Sequence, residues 1–370
     1  MKYHVGVLYL TILGFFTYQA ISAQSEYSLV QRYSFEIPSG FSDLMIVNSA
    51  IHFDTVDSSF QLYFLNRNKS QIEVFSFYKD SVLQDTVINI KSFEAYYSYY
   101  VKSADSIFRF NSNSENLELL NAEGNCVKKY SIDTNYTPMS MNPLGLQGYK
   151  NSILIGNTSK IKGAGLKEDR LVYYHDINPV LQLSFANNTM SCLPIVNFPE
   201  SYCNSGNFYY DIFPSVCSGK NDELCVSFGA DNHLYLYKDS VLVLEKTVKS
   251  KYIDKFDPFD DDKRFDFKYL QSYMQEEPKY KKIIYDPYQS LYYRIVKHKS
   301  QKAQDGKMKI AWSVIVLDTD LNILDELLID PKFTSEIFIP TPFGIITVNE
   351  SDFVKGNAVI SYQKLDNYGK

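Results

Sequence analysis

Apolar and polar positions alternate with a period of two through most of this chain, in short runs broken by polar turns. That period places successive side chains on opposite faces of a pleated ribbon, so it predicts strands rather than helices. Two of the runs end on the same six letters, YKDSVL, at Tyr78–Leu83 and Tyr237–Leu242. In each, one strand closes at Tyr, Lys-Asp-Ser turns, and Val-Leu opens the next strand, which is a hairpin signature. The same pattern in other letters recurs at Leu117–Lys129, Leu171–Leu183, Trp312–Leu328 and Val359–Leu365. Turn centres then fall near Asp80, Glu123, Asp176, Asp239, Asp320 and Leu365. A spacing of about 57 residues marks a repeat architecture.

An apolar strand precedes each hairpin: Phe60–Leu65, Ser106–Phe110, Ser152–Ile155, Leu224–Phe228, Leu291–Val296 and Gly344–Val348. A further one precedes most of those, as at Met45–Phe53 and Lys282–Asp286. Four antiparallel strands per unit, six times over, predict an all-β fold, a six-bladed β-propeller. The sixth unit runs out of chain after Leu365, whereas Tyr27–Ile37 is a spare strand at the other end. Pairing Tyr27–Ile37 onto Val359–Leu365 as the outermost strand of the last blade would close the ring and remove both exposed edges. The units fill residues 24–370, so a single domain is expected. Lys263–Gln275 is the one segment with helical spacing, at Phe265, Phe267, Leu270 and Tyr273.

Composition supports the strands: 31 Tyr and 25 Phe stand beside a single Trp, and aromatic residues favour pleated, half-buried surfaces. Residues 1–23 read as a secretory signal. Lys2 supplies the charged end, Val5–Phe16 a short apolar core, and Ile21-Ser22-Ala23 a cleavage site. Export to the periplasm or cell surface follows. The core is too short for a membrane span, which needs about 20 residues. A net charge of −6 argues against nucleic acid, whose binding depends on neutralising phosphates.

Five cysteines follow the signal, Cys126, Cys192, Cys203, Cys217 and Cys225, none in C-x-x-C spacing. An oxidising compartment permits disulfides. The candidate pairs are Cys217 with Cys225, flanking a short turn, and Cys192 with Cys203, leaving Cys126 free.

Metal and catalytic motifs fail on inspection. Asp318-Thr-Asp320-Leu-Asn322 begins like a calcium loop, but Ile323 replaces the glycine and Ile329 the closing glutamate. Asp257-Pro-Phe-Asp260-Asp261-Asp262 could hold a cation, yet reads better as a solvated loop. His52, His175, His233 and His298 read as ordinary strand or turn residues. No metal, cofactor or catalytic residue is assigned.

The exported start, the degenerate blades, Tyr292-Tyr293-Arg294-Ile295 and Trp312-Ser313-Val314-Ile315-Val316-Leu317-Asp318 together resemble the TolB-like six-bladed propeller proteins exported by Bacteroidetes. The resemblance covers most of the mature chain. It implies a propeller in the periplasm or at the surface, and it brings no catalytic residues. The functional expectation is a non-enzymatic binding or scaffold protein of the envelope, recognising a protein or glycan partner. The alternative is a glycan- or lactone-processing propeller enzyme with a metal in the central funnel.

Strand direction places the working face. In a four-stranded blade the second-to-third connection opens on the same side as the connection between blades. The long segments Asn157–Lys167, Asn187–Asn207, Ser250–Tyr280 and His298–Met308 all fall there. Long connections are uncommon unless functional or disordered. The rim they predict carries Lys160, Lys162, Lys167, Tyr202, Tyr209, Tyr210, Asp260, Asp261, Asp262, Arg264 and His298.

Overall fold

The structure is a computed structural model. It describes residues 27–36, 44–46, 48–49, 53–54, 57–79, 81–91, 97–111, 114–133, 135–139, 145–158, 173–187, 189–204, 207–210, 212–263, 265–302, 308–330, 333–349 and 359–367. The opening strand is β1 (Tyr27–Glu36). After it come β2 (Leu44–Ile46), β3 (Asn48–Ser49), β4 (Phe53–Asp54), β5 (Ser59–Asn66), β6 (Gln71–Phe77) and β7 (Val82–Asn89). The chain continues through β8 (Tyr97–Ser103), β9 (Ser106–Asn111), β10 (Asn116–Leu120) and β11 (Cys126–Ser131). Next are β12 (Thr137–Met139), β13 (Gln147–Tyr149), β14 (Ser152–Thr158), β15 (Val180–Ala186), β16 (Thr189–Val196) and the helical turn α1 (Glu200–Cys203). β17 (Ser215–Ser218), β18 (Leu224–Ser227), β19 (His233–Lys238) and β20 (Val241–Thr247) precede the helix α2 (Phe267–Glu276). The remainder is β21 (Lys279–Asp286), β22 (Leu291–Lys297), the pair β23 (Gln301–Lys302) and β24 (Met308–Lys309), β25 (Trp312–Leu317), β26 (Ile323–Ile329), β27 (Phe333–Thr341), β28 (Gly344–Asn349) and β29 (Val359–Asn367).

The strands build an all-β propeller. Five sheets follow one another along the chain, save that β3 crosses from the first stretch to the second sheet, with orders β2-β5-β6-β7, β3-β8-β9-β10-β11, β12-β14-β15-β16, β17-β18-β19-β20 and β21-β22-β25-β26. A further sheet, β27-β28-β29-β1, joins the two ends. There β1 runs antiparallel to β29 from Tyr27↔Asn367 to Glu36↔Val359.

Within a sheet, burial falls from the inner strands to the outer one. β6 is buried along almost its whole length, whereas β7 exposes every residue from Leu83 to Val87. Each sheet packs on the next through an apolar layer. Ile72 and Val74 meet Val101 and Ile107; Phe110 and Leu117 meet Ile155 and Leu181; Leu154 and Val196 meet Val226 and Tyr235. Leu234 and Leu236 then meet Ile283 and Tyr292, and Tyr293 and Val314 meet Phe338 and Ile345. Phe343, beyond β27, sits beside Phe60 of β5 with ring centroids 6.1 Å apart. Each such side chain stabilises the fold by roughly 1.5–3 kcal/mol when fully buried.

Several expectations are corrected. Among the described residues five sheets, not six, end in a hairpin of their own, because Val359–Leu365 lies inside one continuous strand, β29, with no turn at Leu365. Leu171–Leu183 is not a hairpin either. Residues 173–176 form a helical turn that buries Tyr173 and Tyr174 among aromatic neighbours, and the third sheet's hairpin is β15–β16. Met45–Phe53 is broken among β2, β3 and β4 rather than forming one strand. All five cysteines are free thiols in the structure, and of the two expected pairs it is Cys192 with Cys203 that is corrected. Cys192 packs between the second and third sheets and Cys203 between the third and fourth. A sheet therefore separates them, which excludes that bridge.

Candidate rim site

Four connections from the third, fourth and fifth sheets lie against one another. Tyr174 hydroxyl, between β14 and β15, accepts from Tyr209 N at 3.2 Å. Phe259 N, between β20 and β21, donates to Phe208 O, between β16 and β17, at 2.8 Å. Ser300 N, between β22 and β25, donates to Glu276 O at 2.9 Å, and Lys299 pairs with Asp257 at 3.0 Å.

Helix α2 is the largest element of this cluster. Asp266 caps its first turn by accepting from Lys268 N at 3.0 Å and Tyr269 N at 3.1 Å, which satisfies two of the orphan donors there. At the other end the nearly buried Lys297 ammonium donates to Met274 O, Gln275 O and Glu277 O at 3.0, 2.5 and 3.0 Å. A cation at the helix C-terminus neutralises its carbonyls and holds the helix against β22.

Between these loops lies a shallow cleft. It is lined by Tyr209, Tyr210, Gly229 and Ala230 of the β18–β19 turn, Phe256, Asp257, Tyr273, Met274, Glu277, Pro278 and Lys279. The β18–β19 turn is held by Arg294, a fully buried side chain of β22. Its guanidinium donates to Ser227 Oγ (3.0 Å), Asp231 O (2.6 Å), Asn232 O (3.2 Å), Val248 O (2.7 Å) and His233 O (3.2 Å). It also stacks 3.3 Å from the Tyr280 ring centroid. Burial pulls its pKa below the usual arginine value.

The carboxylates of the rim are engaged by lysines. Hydrogen bonds from Lys255 and Lys299 hold the Asp257 carboxyl below the usual range, and Asp260 pairs with Lys263 at 3.0 Å. Among the described residues no group of three or more His, Cys, Asp or Glu is arranged to hold a metal. Asp318 Oδ1 accepts from Asp320 N and Asn322 N at 2.9 and 2.8 Å, an Asx turn inside a hairpin.

The rim residues expected from sequence divide sharply. Tyr202 is fully buried and Tyr209 nearly so; their rings pack 4.9 Å apart in an aromatic cluster with Tyr174, Phe198 and Phe228. His298 is buried too, stacked on Tyr252 at 4.3 Å with Nε2 2.8 Å from Ser313 Oγ. These three are corrections: a loop this long forms its own small core, and its aromatic residues fill it. Tyr210 is 39% exposed, and Asp260 and Asp262 face solvent at least in part. Asp261 opens the short turn Asp261–Lys263. Lys160, Lys162, Lys167 and Arg264, like His52, lie outside the described residues. Sequence reasoning missed Phe256, Met274 and Glu277; the helical spacing after Asp266 was the signal for the last two. Phe265 and Phe267, expected on the apolar face, are instead 86% and 76% exposed.

Residues 47–328 match the family model described as Domain of unknown function (DUF4221). The chain belongs to this family. A DUF4221 member from Bacteroides vulgatus is similar in structure, with a TM-score of 0.70 at 17% identity over 93% of this chain and 99% of that one. A Bacteroides fragilis protein proposed to be exported gives 0.50 at 10% identity over 93% and 97%. A virginiamycin B lyase from Staphylococcus aureus gives only 0.43 at 10% identity over 91% and 99%, and no activity is carried across. Comparison with curated proteins returned no match. Among the described residues no helix is long and apolar enough to cross a membrane.

Proposed function

We propose that this DUF4221 chain is an exported, non-enzymatic propeller that binds a protein or glycan partner with the face where its long connections meet. The observation that carries the reading is the convergence of four connections from three successive sheets around one cleft. A rigid scaffold presenting adaptable loops is the usual arrangement of a recognition surface. Solvent-facing aromatic residues support it, since Phe265, Phe267 and Tyr210 offer apolar contact area at low conformational cost. We read the end-joining sheet as the sixth blade, which makes the molecule a closed ring. Export rests on the charged start and apolar core of residues 1–23.

The test is binding of the mature chain to immobilised neutral and acidic glycans, and to purified envelope proteins. Wild type is compared with Tyr210→Ala and with Phe265→Ser/Phe267→Ser. These side chains are exposed, so melting temperature should stay within about 1 °C, as for surface substitutions. Saturable binding that weakens at least about tenfold in the variants supports the proposal. Undiminished binding by both variants, or no binding by wild type across the panel, overturns it.

A further inference from the structure

Cys217 and Cys225 occupy directly opposite positions of the antiparallel pair β17–β18, between Val216↔Val226 and Ser218↔Leu224. Opposed residues of a ladder point to the same face of the sheet. Both thiols belong to the layer between the fourth and fifth sheets, Cys225 fully buried and Cys217 packed at its margin. Opposed positions bring Cα atoms to about 4.5 or 5.5 Å, inside the roughly 4.4–6.8 Å that a disulfide spans. The backbone spacing therefore permits the bond. No other pair among the five cysteines shares a ladder position: Cys126 is exposed on β11, Cys192 lies on β16 and Cys203 ends α1.

We propose that Cys217 and Cys225 are an oxidisable pair, a modification site that converts between a dithiol and a cross-strand disulfide. The oxidant is a low-molecular-weight or protein disulfide, the class available in an oxidising compartment. The thiolate of Cys217, the less buried residue of the pair, attacks one oxidant sulfur and expels the other as a thiolate. The thiolate of Cys225 then attacks Cys217 Sγ in the mixed disulfide and expels the second oxidant sulfur. In sum the two cysteines lose two protons and two electrons, and the oxidant disulfide becomes two thiols.

The place of the pair gives the bond a consequence. The turn it would clamp, Gly219–Glu223, touches the sheets on both sides. Tyr149 hydroxyl of β13 donates to Asp222 O at 2.8 Å, and Lys220 N donates to Tyr292 hydroxyl of β22 at 3.2 Å. Asn221 and Asp222 both sit at φ 60°, so this turn is held in a left-handed conformation. Closing the bond fixes the base of a turn on which the third and fifth sheets dock. Burial, and then the neighbouring Cys225, hold the Cys217 thiol well above its ordinary pKa. Oxidation of the folded dithiol is therefore slow at neutral pH and speeds up as pH rises.

The full chain, purified with its thiols reduced, is incubated with oxidised glutathione, quenched in acid, denatured, alkylated and weighed intact. The expected result is a fall from five alkylated cysteines to three, with a peptide map joining Cys217 to Cys225. In Cys225→Ala nothing resolves the mixed disulfide, so Cys217 should keep a glutathione adduct, whereas Cys217→Ala should leave Cys225 a free thiol. The map of wild type decides the matter even if a variant fails to fold. In wild type, five alkylated cysteines after oxidation, a stable glutathione adduct at one of the two, or a bridge using Cys126, Cys192 or Cys203 would each overturn the proposal.

Discussion

Replacing Arg294 by Met keeps most of the side-chain volume and deletes the guanidinium beneath the β18–β19 turn. The loss can be worked from its contacts. Asn232 O retains the N–H of Val248 at 2.7 Å, so that carbonyl stays satisfied. Asp231 O and Val248 O, the two shortest contacts at 2.6 and 2.7 Å, lose this donor. A buried acceptor left unpaired costs about 1–3 kcal/mol, and the cation over the Tyr280 ring adds about 2 kcal/mol where water is excluded. Relief from burying a charge offsets part of this. The net expectation is a loss of about 3–5 kcal/mol. At roughly 1.4 °C per kcal/mol for a chain of this size, the melting temperature should drop about 4–7 °C by circular dichroism. Arg294→Lys should fall between, because an ammonium keeps the charge but not the planar fork. If R294M melts within about 2 °C of wild type, the guanidinium is not what holds the turn, and the reasoning fails.

Two further outcomes follow from the fold. Burial lowers the His298 pKa, so the folded state prefers the neutral ring. Its contribution is complete above the ordinary value of about 6.5 and is lost as pH falls below it, where the unfolded chain takes up the proton. Urea midpoints measured from pH 8 to 5 should therefore decline at the acid end, and His298→Gln should flatten that decline; identical pH profiles would refute the assignment. Deleting residues 24–38 removes β1 and bares the edge of β29, so light scattering should reveal aggregation. A truncated chain that stays monomeric with an unchanged melting temperature would show that the pairing contributes nothing.

The hairpins β6–β7 and β19–β20 were legible because alternation and turn chemistry agree there: apolar residues on one face of each strand, and Lys-Asp-Ser between them. At residues 171–183 the same reading failed. The run Leu-Val-Tyr-Tyr followed by Asp-Ile-Asn-Pro has the letters of a strand and a turn, yet tertiary packing of Tyr173 and Tyr174 against Phe198 and Tyr202 favours a helical turn. Val359–Leu365 has no turn residues inside it, and one uninterrupted strand satisfies both neighbours. For the rim, composition could not separate Tyr210, which reaches solvent, from Tyr202 and Tyr209, which do not. That distinction depends on Phe228 and Tyr174, brought alongside only by neighbouring sheets.

The sheet that joins β1 to β29 has a consequence for how the molecule comes into being. Its two partners stand at opposite ends of the sequence, so this contact is about as non-local as the chain permits. The other sheets assemble from largely local stretches as synthesis or transport proceeds, the short β3–β8 pairing apart. The opening strand has no partner until the final one arrives, and its unpaired edge must be carried through everything that comes before. Contacts of such sequence separation are entropically late and slow to form. The order of events is thus written into the connectivity: the interior sheets come first, the seam last, and a chain interrupted short of residue 359 is left with a sticky end that nothing of its own can cover.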